Sequence, residues 1–168
     1  MTEAAMTEAA ATGAAATGAA TTGAARAAEA LVRAYYAAFN SGERDRFLAL
    51  LAEDVAHDIS GGAREIGREA FARFMRHMDR CYRERINGLV VMTEPTGTQA
   101  AATFTVHGTY IETDPDVPPG TPPARGQTYE LPAAAFFRLR NGSVAAIANH
   151  YRMEDWVAQI GGHGVAGP

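Results

Sequence analysis

The hydrophobic pattern of this chain changes period near residue 86, and few folds accept such a change. Before it, Leu31, Ala34, Tyr35, Ala38 and Phe39 recur at i, i+3, i+4, i+7 and i+8, the stripe of an amphipathic helix. Asn40-Ser41-Gly42 ends that helix, and Phe47, Leu50 and Leu51 mark a short second one. Residues 54–59, DVAHDI, have β character and run into Gly61-Gly62. A third helix follows, with Phe71, Phe74, Met75, Met78 and Tyr82 on one stripe. From residue 86 the period is two. Strands are predicted over 86–94 and 98–112 about a turn at Pro95–Gly97, then over 127–140, with a return strand after the Asn141-Gly142 hairpin signal. Five prolines keep residues 113–126 out of any strand, and beside a pocket mouth this stretch would serve as a lid. Residues 154–161 read as a short closing helix. Helices first and strands afterwards predict an α+β fold: three helices packed on one strongly curved antiparallel sheet, a cone that gathers apolar side chains inside.

Three boundaries follow from composition. Residues 1–25 are almost wholly Ala, Thr, Gly and Glu in a loose five-residue repeat, which predicts a disordered or frayed tail. Residues 26–161 form the domain, and 162–168 a flexible C-terminal tail. The first segment has neither the basic and apolar regions of a signal peptide nor the arginines of a transit peptide, and no apolar run has the length of a membrane span. A net charge of −4 leaves no electrostatic footprint for nucleic acid. Seven arginines fall between 64 and 85, but Glu65, Glu69, Asp79 and Glu84 are interleaved with them, which predicts a solvated helix face. The single cysteine, Cys81, suits a reducing cytoplasm. His77 and Cys81 stand at i, i+4 as a conceivable metal pair, yet their stripe lies among arginines and is assigned to the surface. No metal, phosphate-loop or serine-hydrolase motif is present, so neither a metal nor a cofactor is expected.

Strand parity sorts the candidate site residues. Phe104, Val106 and Tyr110 share a face with Ala100, Ala102 and Gly108, and this apolar set should line the cone; His107 falls on the other face. On the next strand Tyr129, Leu131, Ala133, Ala135 and Phe137 form one set, and Ala134, Phe136 and Arg138 belong to the other. In DVAHDI, His57 keeps company with Val55 and Ile59, whereas Asp58 sits with Ala56 and Ser60. His57 is therefore predicted to face the cavity and Asp58 to face away, unless a bulge at Ser60-Gly61 or earlier inverts them. From the helices, Phe39, Phe74 and Met75 complete the apolar wall. The inward small residues leave room for an open cavity.

Four segments carry a family resemblance: LVRAYYAAFNSGERDRFLALLAEDVAHD, IGREAFARFM, GQTYELPAAAFFRLRNG and NHYRMEDWVAQIG. In this order and spacing they resemble the nuclear transport factor 2-like (cystatin-like α+β barrel) fold, and more narrowly the SnoaL-like polyketide cyclases and ketosteroid-isomerase-related proteins. The resemblance implies a small apolar ligand, homodimerisation through the outer sheet face around Phe136, and Asn149 and Tyr151 pointing inward. Ketosteroid isomerase pairs a carboxylate base with two oxyanion donors. Its helix-1 tyrosine falls on Tyr35, but its base falls on Ile59 (or Asp58 with a one-residue slip) and its second donor on Ala135, so steroid isomerisation itself is not implied. His57, whose ordinary pKa suits a base at neutral pH, is the alternative base. The expected activity is cofactor-independent proton transfer on a small apolar carbonyl compound. His57, Tyr35 and Asp58 are its candidate catalytic groups, and Phe39, Phe74, Met75, Phe104, Val106, Tyr110, Leu131, Ala135, Phe137, Asn149 and Tyr151 its ligand contacts. A non-catalytic protein holding an apolar ligand is the other reading.

Overall fold

Two aromatic side chains in one turn of helix decide where the first helix must lie. Tyr35 and Tyr36 on α1 (Glu3–Ser41) are both buried, and with Ala28, Val32 and Ala38 they give the helix a broad apolar face. The computed structural model describes residues 3–60 and 62–161, with side chains from Thr22 onward. The helix extends back through the Ala/Thr/Gly repeat for which the sequence predicts a tail; alanine is the strongest helix former and carries the backbone there. The first buried side chain of that helix among the described residues is Ala28. The expected C-terminal tail, 162–168, lies outside the described residues. Gly42, at φ 73°, stops α1 in a conformation that glycine adopts without strain.

The remaining elements are α2 (Arg44–Ala49), β1 (Leu51–Asp58), β2 (Arg64–Ile66), α3 (Arg68–Cys81), β3 (Tyr82–Thr93), β4 (Gln99–Tyr110), β5 (Gln127–Arg140), β6 (Ser143–Tyr151) and α4 (Met153–Ile160). Two boundaries differ from expectation. Leu51, expected in the second helix, opens β1. Tyr82, expected on the third helix, opens β3 four residues early, because its backbone is already extended at φ −134°, ψ 153°. The short strand β2 has no counterpart in the sequence reading.

The six strands form one open sheet in the order β2-β1-β6-β5-β4-β3. It is antiparallel except where β1 runs parallel to β6, a departure from the all-antiparallel expectation. Parallel strands cannot be joined by a tight turn, and most of the domain lies between these two. Register shifts between Asn87 and Val90, Arg138 and Leu139, and Leu51 and Ala56 mark irregularities of the kind that bend strands. The concave face holds the core, against which α1, α3 and α4 pack.

The edge strand β3 leaves backbone groups without a strand partner, and one side chain covers a pair of them. Asn40 at the end of α1 donates from Nδ2 to the Ile86 carbonyl and accepts from the Ile86 N–H at Oδ1, both at 2.8 Å. Replacing it by alanine strands both groups in a half-buried place. Asn40→Ala is expected to lower the unfolding free energy by about 2 kcal/mol in urea denaturation, with an unchanged slope.

Candidate functional site

The cone encloses a cavity of about 530 Å³ between α1, α3, α4, the concave sheet face and the 111–126 segment. Its wall is mostly apolar and aromatic, so the polar groups it holds decide what it could orient.

The first polar group is His57. Strand alternation in β1 turns it inward, 1% exposed, while Asp58 turns outward. The imidazole lies flat on Phe71 (4.2 Å between centroids, 18° between planes) with the edge of Phe74 at 4.7 Å, so its plane is held by packing. Nε2 is 3.2 Å from Asn149 Nδ2. Nδ1 is 3.8 Å from Glu65 Oε2, and both of these buried atoms lack a hydrogen-bond partner. Burial pushes the His57 pKa down to about 4, with the Asp58 charge acting in the opposite sense, so the ring is neutral at pH 7 and one of its nitrogens carries a lone pair. Asp58 is held by Arg64 through two hydrogen bonds of 2.5 and 2.8 Å that keep its carboxyl below the usual range. It is absent from the cavity wall, and the structure does not bring this candidate to the site. The alternative in which a bulge at Ser60-Gly61 promotes Asp58 involves Gly61, which lies outside the described residues.

Tyr35 and Tyr36 face the cavity from α1. Tyr35 is boxed by Phe47 and Phe137, and Tyr36 leans on Phe104. Burial raises both phenols above their ordinary pKa, which keeps them protonated as hydrogen-bond donors. The Tyr36 hydroxyl has no partner. Sequence reasoning missed Tyr36, although it neighbours Tyr35 and could share the wide apolar face.

A second polar group sits in the same cavity toward the opposite edge of the sheet. Glu84 on β3 accepts a 2.6 Å hydrogen bond from the Tyr129 hydroxyl of β5, across the intervening strand β4. Burial raises the Glu84 carboxyl, with the Tyr129 hydroxyl pulling the other way. The bond exists because the residue between them in register is Gly108, and a Cβ there would overlap the Tyr129 ring. The charge pattern predicts a solvated helix face for Glu65 and Glu84, but each sits on a strand flanking α3 and lines the cavity. The alternation of Tyr82, Glu84 and Ile86 was the signal that placed Glu84 inside.

Asp114 anchors the 111–126 segment. Its Oδ2 accepts from the Tyr82 hydroxyl (2.8 Å) and pairs with His77 Nε2 (3.0 Å); Oδ1 accepts from the Asp116 N–H. Burial alone would raise this carboxyl, but the Asp116 N–H, the Tyr82 hydroxyl and the His77 ring hold it low. Cys81 is fully buried beside them, so the surface assignment of His77 and Cys81 is corrected. The ligand atoms of His77, Cys81 and Asp114 lie within 4.8 Å of one another, the donor set among the described residues that could hold a cation. Both Asp114 oxygens are already engaged and Arg80 hydrogen-bonds the thiol. The cluster therefore works as a latch that holds Asp114, Asp116 and Val117 in the cavity wall.

Of the other expected contacts, Phe39, Phe74, Met75, Phe104, Val106, Leu131, Asn149 and Tyr151 line the cavity. Tyr110, Ala135 and Phe137 do not. Tyr110 stacks on Tyr82 and meets Trp156, Ala135 is packed at 0% exposure between Ala102 and Asn149 in the sheet, and Phe137 is covered by Tyr35 and Tyr36. Ile59, where the resemblance would place a ketosteroid isomerase base, is in the wall; Ala135, where it would place the second donor, is not.

Helices leading into an open curved sheet that wraps a cavity define a nuclear transport factor 2-like architecture. The chain belongs to the SnoaL-like family, whose domain profile matches residues 32–147. Two solved proteins provisionally named polyketide cyclases are similar. One, from Xanthomonas campestris pv. campestris, is 47% identical with a TM-score of 0.77 and covers 82% of this chain and 98% of that one. The other, from Pseudomonas putida, is 54% identical with a TM-score of 0.73, over 77% and 94%. A provisionally named ketosteroid isomerase from Kribbella flavida shares the fold at 22% identity, TM-score 0.54, over 76% and 79%. No curated protein matches the chain. Among the described residues no helix is long and apolar enough to cross a membrane.

Proposed function

We propose that the protein catalyses cofactor-independent proton transfer α to the carbonyl of a small apolar cyclic or aromatic ketone, as an isomerase or cyclase. The observation that carries this reading is a neutral, packed imidazole in a mostly apolar cavity whose lining residues hold the unpartnered polar atoms His57 Nδ1, Glu65 Oε2 and Tyr36 Oη. Buried polar groups left unpartnered in one cavity, one of them with a strongly shifted pKa, favour a catalytic site over a simple holding pocket. The His57 lone pair takes the α proton and becomes imidazolium. The C–H electron pair forms the C=C bond, and the carbonyl π pair moves to oxygen. Tyr35 donates to that oxygen, whose charge it stabilises most in the transition state. The imidazolium then returns its proton to another carbon, or to the alkoxide formed when the enolate carbon attacks a second carbonyl.

The test is hydrogen–deuterium exchange at the α carbon of 2-tetralone in D2O, followed by NMR. His57→Ala is expected to slow the enzyme-dependent exchange by roughly 10²–10⁴-fold, and Tyr35→Phe by roughly 10²-fold. Exchange no faster than buffer, together with a bound apolar compound released on denaturation, would establish the binding reading instead.

The outer sheet face supports a homodimer. Phe136 is 58% exposed, edge-on to His150, and registers with Ala101 and Ala148 on the neighbouring strands. Phe136→Glu is expected to turn a dimer into a monomer by light scattering, and a wild-type monomer would refute this surface. The buried free thiol of Cys81 is compatible with a cytoplasmic location.

A further inference from the structure

Glu65 stands directly opposite His57 in the β1–β2 pairing, where the side chains of the two strands are neighbours on one face. Packing between Phe71 and Phe74 fixes the ring plane, which leaves one question about the imidazole: which nitrogen carries the proton. The Asn149 amide does not decide it, because an amide turned over presents oxygen instead of nitrogen. The Glu65 carboxylate can only accept.

We infer that Glu65 is a positioning residue that holds His57 as the Nδ1–H tautomer, with the Nε2 lone pair turned to Asn149 and the cavity. This inference rests on the proton-transfer reading for its purpose, and on geometry alone for its content. With the proton on Nδ1, the Asn149 NH2 can donate to Nε2 across their 3.2 Å contact. The 3.8 Å separation exceeds an N–H···O bond by less than an ångström. Glu65 Oε2 has no other partner to give up, and β2 is a three-residue edge strand with little to resist a small side-chain rotation. The same bond stabilises the imidazolium once His57 has taken a proton, and the Asn149 NH2, released from Nε2, is free to donate to the enolate oxygen. Carboxylate, imidazole and amide thus form one chain from the sheet edge to the substrate. Fixing the tautomer through the ring nitrogen away from the substrate is the usual way a histidine base is oriented.

The experiment is long-range 1H–15N correlation NMR on the full chain with 15N-labelled histidine at pH 7.5, the His57 signals being assigned by their loss in His57→Gln. The expected wild-type pattern has the proton on Nδ1. Glu65→Leu should lower the Nδ1–H to Nε2–H ratio by roughly tenfold, the worth of one hydrogen bond. Glu65→Gln, which keeps an acceptor oxygen, should restore most of it. Glu65→Ala reads the same ratio if the leucine variant does not fold. A wild-type proton on Nε2, or a ratio unmoved by removal of the acceptor, overturns the inference. If the tautomer is found as expected but 2-tetralone does not exchange, the catalytic reading fails while the placement of Glu65 stands; exchange with the wrong tautomer gives the converse.

Discussion

The unfolding free energy of the wild-type protein, relative to His57→Gln, is expected to fall by about 3 kcal/mol between pH 6.5 and pH 4. In the unfolded chain His57 titrates near its ordinary 6.5; in the folded protein burial holds it at about 4. Between those values the unfolded chain binds a proton that the folded protein refuses, so acid favours unfolding. The contribution is complete above pH 6.5, is lost as pH falls through the folded pKa, and is flat below it. The comparison with the variant is necessary because Glu84 acts in the opposite sense. Its carboxyl is raised by burial, so its contribution favours folding on the acid side and is lost as pH rises through its folded pKa. Urea denaturation of both proteins at half-unit steps from pH 3.5 to 8 separates the two. A constant difference across the range would mean that the His57 ring is hydrated, and the base would lose its apolar setting.

Gly108→Ala is expected to destabilise the protein by about 3 kcal/mol, an unusual outcome for an added methyl on a strand. The backbone of Gly108 is not in the left-handed region, so alanine suits it there, and in an ordinary strand the change would help. Here the Cβ would occupy the place of the Tyr129 ring. Tyr129 must leave, its bond to Glu84 breaks, and a buried carboxyl loses its donor. A double-mutant cycle isolates this cause. In a Tyr129→Ala background, itself costing about 4 kcal/mol, Gly108→Ala should cost less than about 1 kcal/mol. Equal costs in both backgrounds would mean that backbone, not ring, resists the methyl.

Much of the architecture was legible because one physical quantity, the period of apolar residues, separates helix from strand. The company of Val55 and Ile59 was enough to indicate which way His57 faces. Glu65 and Glu84 escaped that rule because the arginine-rich charge pattern between 64 and 85 reads as a single helix, whereas the helix is Arg68–Cys81 with a strand at each end. Charge marks solvent only while the element is known. Parity also told which side Phe137 and Ala135 face without telling what covers them; the packing of Tyr35 and Tyr36 over Phe137 is a tertiary event. The parallel pairing of β1 with β6 joins residues far apart in sequence, and no local pattern announces it.

That pairing has a consequence for how the protein comes into being. His57 and Asn149 are 92 residues apart, and the strand that carries Asn149 is the last of the sheet. During synthesis His57 waits on an incomplete sheet until residue 149 has left the ribosome, and the wall beside it closes only once β6 has emerged. Contacts of such long range are slow to form, since the loop between them must be ordered before they give anything back. The nascent chain thus completes the surroundings of His57 only with the last strand of its sheet.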